Sequence, residues 1–231
     1  MASRHLLKRC AFAIKRATSS VRLHHLLDAI VFRHQGNRVE GRRGNGLHLV
    51  GADVWHTRFV FHGTGNQVWL ASDTELRDCT IEVFGTGHEV RVGPRCRILR
   101  THIRLEDHGC QVLVGAHTSI EGAHLAAVEP TMRLTIGEGC MLSHDIDIRT
   151  SDSHAIYDAE TGTRLNPPAP VAVGPGVWIG AHVQVLKGVT LGAGSVVGTR
   201  SLVTRSVPPG SLAAGSPASV LREGVTWTRE R

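Results

Sequence analysis

Val173-GPGVW, Ile179-GAHVQ, Val185-LKGVT, Leu191-GAGSV, Val197-GTRSL, Val203: from 173 to 203 an aliphatic residue returns at every sixth position without a slip. A glycine follows it at Gly174, Gly180, Gly192 and Gly198. A period of six is neither the 3.6 of an α-helix nor the 2 of one long strand. It suits short strands joined by tight corners, each strand sending one aliphatic side chain inward. The glycine is expected at the corner because the backbone there needs positive φ. Three such faces close a turn of about 18 residues, and stacked turns make a parallel β-helix. One turn alone buries little. Stacked on the equivalent residue of the next turn, each inward Val or Ile gains roughly 1.5–3 kcal/mol.

The beat continues, less regularly, from Val39 to Ile148. Val92-GPRCR-Ile98, Val114-GAHTS-Ile120-EGAHL-Ala126 and Ile136-GEGCM-Leu142-SHDID-Ile148 are its clean steps. Between them lie polar corners at Gly44-Asn45-Gly46, Gly63-Thr64-Gly65-Asn66, Gly85-Thr86-Gly87-His88 and Asp107-His108-Gly109. Their spacing of about one coil predicts that one corner of successive turns is widened. The whole reads as about eight coils. The expected division is an N-terminal segment 1–36, a β-helix 37–221 with a protruding loop 149–171, and a tail 222–231.

Composition agrees with a solenoid. Aromatic residues are 4% of the 231, and glycines number 26. The formal net charge of +6 admits an anionic ligand. The basic residues are dispersed and lack interleaved aromatics, which argues against nucleic acid. The five cysteines, Cys10, Cys79, Cys96, Cys110 and Cys140, show no C-x-x-C spacing. They form no zinc clip or disulfide framework and suit a reducing cytoplasm. Residues 1–35 differ: Leu6, Leu7, Ile14 and Val21, then Leu23, Leu26, Leu27, Ile30 and Val31, fall at helical spacing among Arg and Lys. This segment is too interrupted by charge for a secretory signal or a membrane span. It is expected to cap the first coil; a peripheral membrane contact is the other reading.

Val173 to Leu221 resembles the last coils and exit of the hexapeptide-repeat acyltransferases, the group that includes maltose, galactoside and serine O-acetyltransferases. Gly215 and Pro217 match the family's terminal turn. The resemblance implies a left-handed β-helix, acetyl-CoA as acyl donor, no metal, and a homotrimer with active sites shared between subunits. It implies that a histidine in the loop breaking the helix acts as general base, and His154 of Thr150-Ser151-Asp152-Ser153-His154 occupies that place. Imidazole suits the task, since its ordinary pKa leaves it neutral at pH 7. Asp152 is read as orienting that imidazole, as contacting the acceptor, or as capping the loop in an Asx turn. Trp178 stands where the family has a tryptophan beside acceptor and thioester. Glu129 is a candidate for the acceptor pocket. By resemblance Gly180, Ala181, Thr199, Thr204, Arg205 and Arg222 would meet acetyl-CoA, with Lys187 and Arg200 as further candidates.

The expected activity is therefore O-acetylation of a sugar, nucleotide-sugar or polysaccharide hydroxyl in the cytoplasm. Ala155 replaces a proline usual in the sugar acetyltransferases, and the S-D-S-H-x-I-x-D wording, followed by Arg164-Leu165-Asn166-Pro167, is similar to acyltransferases of surface-polysaccharide clusters. The alternatives are a metal enzyme resembling the γ-class carbonic anhydrases and a catalytically silent scaffold. For the first, His102, His108, His117, His124, His144 and His182 supply ligands, but the H-x-x-x-x-H pair is absent. Nucleotidyl transfer is not expected, since no G-x-x-x-x-G-K motif is present.

Overall fold

The computed structural model describes residues 32–230. The helices expected before Phe32, and with them the capping and membrane readings, lie outside the described residues. From Arg38 the chain winds into a parallel β-solenoid of three sheets. The first sheet holds eight strands from Arg38–Glu40 to Leu202–Val203. The second holds seven, from Gly46–Leu49 to Thr190–Leu191, and the third nine, from Asp53–Trp55 to Ala218–Glu223. Each coil visits the sheets in that order. About eight coils result, as the sequence predicts.

Coil length falls along the chain. His102 pairs with His124, twenty-two residues on, whereas Trp178 pairs with Val196, eighteen on. The irregular beat before Ile148 is this longer coil. All six aliphatic residues from Val173 to Val203 are 3% exposed or less. A second inward position lies two residues before each, at Val177, Val183 and Val189, then Ser195 and Ser201. The core is thus twice as dense as one inward residue per strand.

The glycine after each aliphatic residue is explained differently from the expectation. Gly174, Gly180, Gly192 and Gly198 do not have positive φ. Their reason is space: a Cβ on Gly180 would lie 2.8 Å from the amide nitrogen of Thr199, and one on Gly192 would lie 2.3 Å from that of Pro209. The left-handed residue sits two positions further on, as Gly176, His182, Gly188, Gly194 and Arg200. The corner therefore needs one residue without a side chain and one that turns.

The widened corner joins the first sheet to the second. It takes four or five residues in each of the first five coils, for example 41–45 and 63–66. Its polar residues turn inward and form a ladder. The amide of Asn66 donates to Asn45 Oδ1, that of His88 to Asn66 Oδ1, and that of Cys110 to His88 Nδ1. His88 Nε2 reaches the Phe84 carbonyl at 3.0 Å. Accepting at Nδ1 obliges the ring to carry its proton on Nε2. Burial pushes the His88 pKa down, in keeping with that neutral form. Buried Cys79, Cys96, Cys110 and Cys140 likewise hydrogen-bond backbone carbonyls at the corners. Burial raises each thiol pKa, that of Cys79 to about 11, so these are structural thiols.

The space argument has a direct check. Gly137 would place a Cβ 2.5 Å from the nitrogen of Pro175, whereas Gly194 is left-handed with open space around it. Gly137→Ala should cost about 1–3 kcal/mol in denaturant unfolding through overpacking. Gly194→Asn, which tolerates the turn, should cost much less.

Candidate active site

The sixth pass around the widened corner is the long loop. Between the strands Ile146–Arg149 and Val171–Val173 it takes twenty-one residues, 150–170. It leaves the corner at Thr150, which is buried and exchanges hydrogen bonds of 3.0 Å with both backbone groups of Val128. It then folds into a hairpin, with Tyr157 bridged to Arg164 and the Leu165 amide donating to the Ile156 carbonyl at 2.7 Å. Asp158 closes its tip by accepting from Thr161 and Glu160.

Two polar clamps hold the hairpin to the solenoid. Glu129, on the same corner one coil earlier, receives both guanidinium nitrogens of Arg164 at 2.6 and 2.7 Å, and Ser151 Oγ at 2.5 Å. The bidentate geometry fixes direction as well as distance. Both Glu129 oxygens are engaged, so its part here is to anchor the loop. The second clamp joins Asp152 to Lys187, one coil later at the same corner, and to Asn166 Nδ2 at 2.9 Å. The same Asn166 nitrogen reaches the His154 carbonyl at 2.8 Å, and Asn166 Oδ1 accepts from the Ile156 amide at 2.6 Å. Asn166 therefore grips the backbone on both sides of Ala155.

His154 itself is exposed. Among the described residues its ring makes no hydrogen bond, so both nitrogens are available to a substrate. Both contacts of the Asp152 carboxylate, with Lys187 and Asn166, are made through Oδ2. Ser153, just before it, has φ +65° and turns the chain.

The other expected site residues fall into separate groups. Gly180 and Ala181 meet Thr199 and Arg200 at the corner between third and first sheets, where the Arg200 amide donates to the Ala181 carbonyl at 2.9 Å. Thr204 and Arg205 are exposed one coil beyond Lys187, at the loop's own corner. Arg222 lies apart from both groups, on the antiparallel strand Ala218–Glu223 that closes the third sheet. Trp178 is 38% exposed on the outer face of the third sheet.

Trp178 has a companion that sequence reasoning missed. Trp227 of the tail lies with its ring 6.0 Å from that of Trp178, and its indole N–H donates to the Gly176 carbonyl at 2.7 Å. Arg229 then crosses the sheet to Ser119 Oγ and the Cys140 carbonyl. Arg164 and Asn166 were visible only as motif wording. Their partners lie 35 residues away for Arg164 and 10–14 away for Asn166, beyond any local pattern.

Known proteins resemble this chain in sequence and fold. The family model "Bacterial transferase hexapeptide (six repeats)" matches residues 170–205. A polysialic acid O-acetyltransferase of Neisseria meningitidis is 31% identical over 147 residues, covering 54% of this chain and 68% of that protein. The crystal structure of a polySia-specific acetyltransferase superposes with a TM-score of 0.75 at 31% identity, over 84% of this chain and 87% of the other. The chain belongs to the hexapeptide-repeat acetyltransferase family. A second polysialic acid O-acetyltransferase structure matches with a TM-score of 0.79 at 26% identity, over 84% of this chain and 92% of the other. A polysialic acid O-acetyltransferase of Escherichia coli is 34% identical over 121 residues. That alignment covers 52% of this chain but only 39% of the E. coli protein. No helix among the described residues is long and apolar enough to cross a membrane.

The clamps set a pH dependence. Arg164, first by its hydrogen bonds, holds the Glu129 carboxyl below its ordinary range, and Lys187 then Asn166 do the same for Asp152. A carboxyl depressed in the folded state stabilises at pH above its unfolded value and loses that contribution as pH falls through the depressed one. Amide exchange at Ile156 and Leu165, corrected for intrinsic pH dependence, should stay slow until pH drops below the ordinary carboxylate range. Glu129→Gln should speed it several-fold at neutral pH.

Proposed function

We propose that this protein transfers an acetyl group from acetyl-CoA to a hydroxyl of a sialic-acid-containing polysaccharide, with His154 as general base. The observation that carries the reading is the clamped loop: it presents a histidine whose ring is free while the backbone around it is fixed. An imidazole nitrogen accepts the acceptor hydroxyl's proton as that oxygen attacks the thioester carbonyl. The tetrahedral oxyanion is met by backbone N–H groups. Its collapse breaks the C–S bond, and the departing CoA thiolate takes the proton from the imidazolium.

Support for the acceptor comes from the relatives that act on polysialic acid and from the net charge of +6, which draws a polyanion toward the surface. Gly180, Ala181, Thr199 and Arg200 are our candidates for the pantetheine arm, with Thr204, Arg205 and Arg222 toward the nucleotide. Trp178 is our candidate for a contact with the thioester. Within one chain the His154 corner and the Gly180 corner are different edges of the solenoid, which favours a trimer whose neighbours bring the two edges together. Use of acetyl-CoA suits a cytoplasmic location.

Free-thiol release from acetyl-CoA, followed with polysialic acid and a panel of neutral sugars, tests the reading. Acceptor-dependent release with polysialic acid should fall about 10²–10⁴-fold in His154→Ala while CoA binding is retained. Release unchanged in the variant removes His154 from its role, and absence of CoA binding in either protein removes the activity. Light scattering should return three times the chain mass.

A further inference from the structure

The corner between third and first sheets also carries a group of side chains to which the proposed reaction assigns no role. His144 and Asp145 sit on one coil and His182 at the corresponding turn of the next, where the His182 amide donates to the His144 carbonyl at 3.0 Å. One oxygen, Asp145 Oδ2, faces both rings. It is 3.0 Å from His144 Nδ1 and 3.5 Å from His182 Nδ1. The two rings meet edge to face with centroids 5.0 Å apart. All three donor atoms lie within 4.8 Å of one another.

Two of these spacings, 3.0 and 3.5 Å, bracket those a small cation imposes, and the first is a hydrogen bond that a metal would replace. Zinc bound at about 2.0–2.1 Å to nitrogen and oxygen has donor-to-donor edges of about 3.3–3.4 Å in a tetrahedron. Two imidazoles and one carboxylate are also a donor set that catalytic zinc sites use, with the remaining position left to water. Other exposed histidines lack one part of this set. His56 faces Asp78 at 3.3 Å, but no third donor joins them. His124 faces Asp147, which the Arg149 guanidinium already covers. At Asp145 the nearest guanidinium, Arg100, is turned to the carbonyl of Glu121 at 2.7 Å. A groove of about 500 Å³ opens beside the group, lined also by His102, His124 and Gln184. It leaves room for a hydrated ion to enter.

We infer that His144, Asp145 and His182 form a binding site for a divalent transition metal, most simply Zn²⁺, that bridges two successive coils. This inference does not rest on the acyl-transfer reading, and the metal is not assigned a part in that reaction. Because the ligands come from two coils, binding favours the stacked state and raises thermal stability.

The test uses the untagged full-length chain, stripped with EDTA and titrated with Zn²⁺, with Co²⁺ as a spectroscopic probe. One equivalent of Zn²⁺ per chain should bind saturably and raise the melting temperature. Co²⁺ should give visible d–d bands of low-coordinate geometry. His144→Ala and His182→Asn should each weaken binding at least tenfold and abolish the metal-dependent shift. Asn at 182 is chosen because that residue has φ +60°. His108→Ala, at an exposed histidine elsewhere, should keep both. Melting of each variant without metal shows that it is folded. No saturable binding by the wild type, or equal binding by the His144 and His182 variants, overturns the site.

Discussion

Every coil of this protein is an incomplete core, and only contact with its neighbours completes it. That constraint explains the repeating pattern. Inward Val, Ile and Leu must stand directly above one another, so the backbone pairs in parallel and in register from coil to coil. Coils that approach this closely leave no room for a Cβ where one corner passes the next, and Gly137, Gly174, Gly180 and Gly192 occupy those points. Polar groups trapped at the widened corner must find partners within the stack. Asn45, Asn66, His88 and Cys110 supply them to one another's coils.

The site grows out of the same constraint. In the first five coils the corner between first and second sheets takes four or five residues, against two to four at the other two. The twenty-one-residue loop is an enlargement of that corner. It is then tied back by charge to the coil below through Glu129 and to the coil above through Lys187. Asp152 Oδ2 helps to hold the loop, and among the described residues the His154 ring has no hydrogen-bond partner.

How much of this was legible follows from the range of each interaction. The six-residue beat is local and repeated, so the solenoid, its coil count and the widened corner could be read directly. The glycine was visible but its cause was not, because a steric limit set by a residue sixteen to nineteen positions away looks the same in sequence as a turn. The second inward position was hidden where it holds Ser195 or Ser201 in place of an aliphatic residue. His154 was singled out by its place in the broken beat together with the family resemblance. Glu129 was singled out for the acceptor pocket, but its contacts with Arg164 and Ser151, 35 and 22 residues away, could not be read. Trp227 escaped notice because its partner Gly176 lies 51 residues away and nothing periodic links them.

The long loop also changes how the solenoid assembles. In coils without the loop a parallel strand finds its partner 16–23 residues along the chain, but Leu134, Met141 and Ile148 must wait for Val171, Trp178 and Val185, thirty-seven residues on. Closing that longer segment costs about 0.5 kcal/mol more entropy than an ordinary coil of twenty-two. Growth of the stack by addition of neighbouring coils therefore meets an uneven step within the sixth turn. The ion pairs that hold the hairpin also restrain this segment, so Glu129, Arg164, Asp152 and Lys187 add to the strand pairing that joins the coils on either side of the loop.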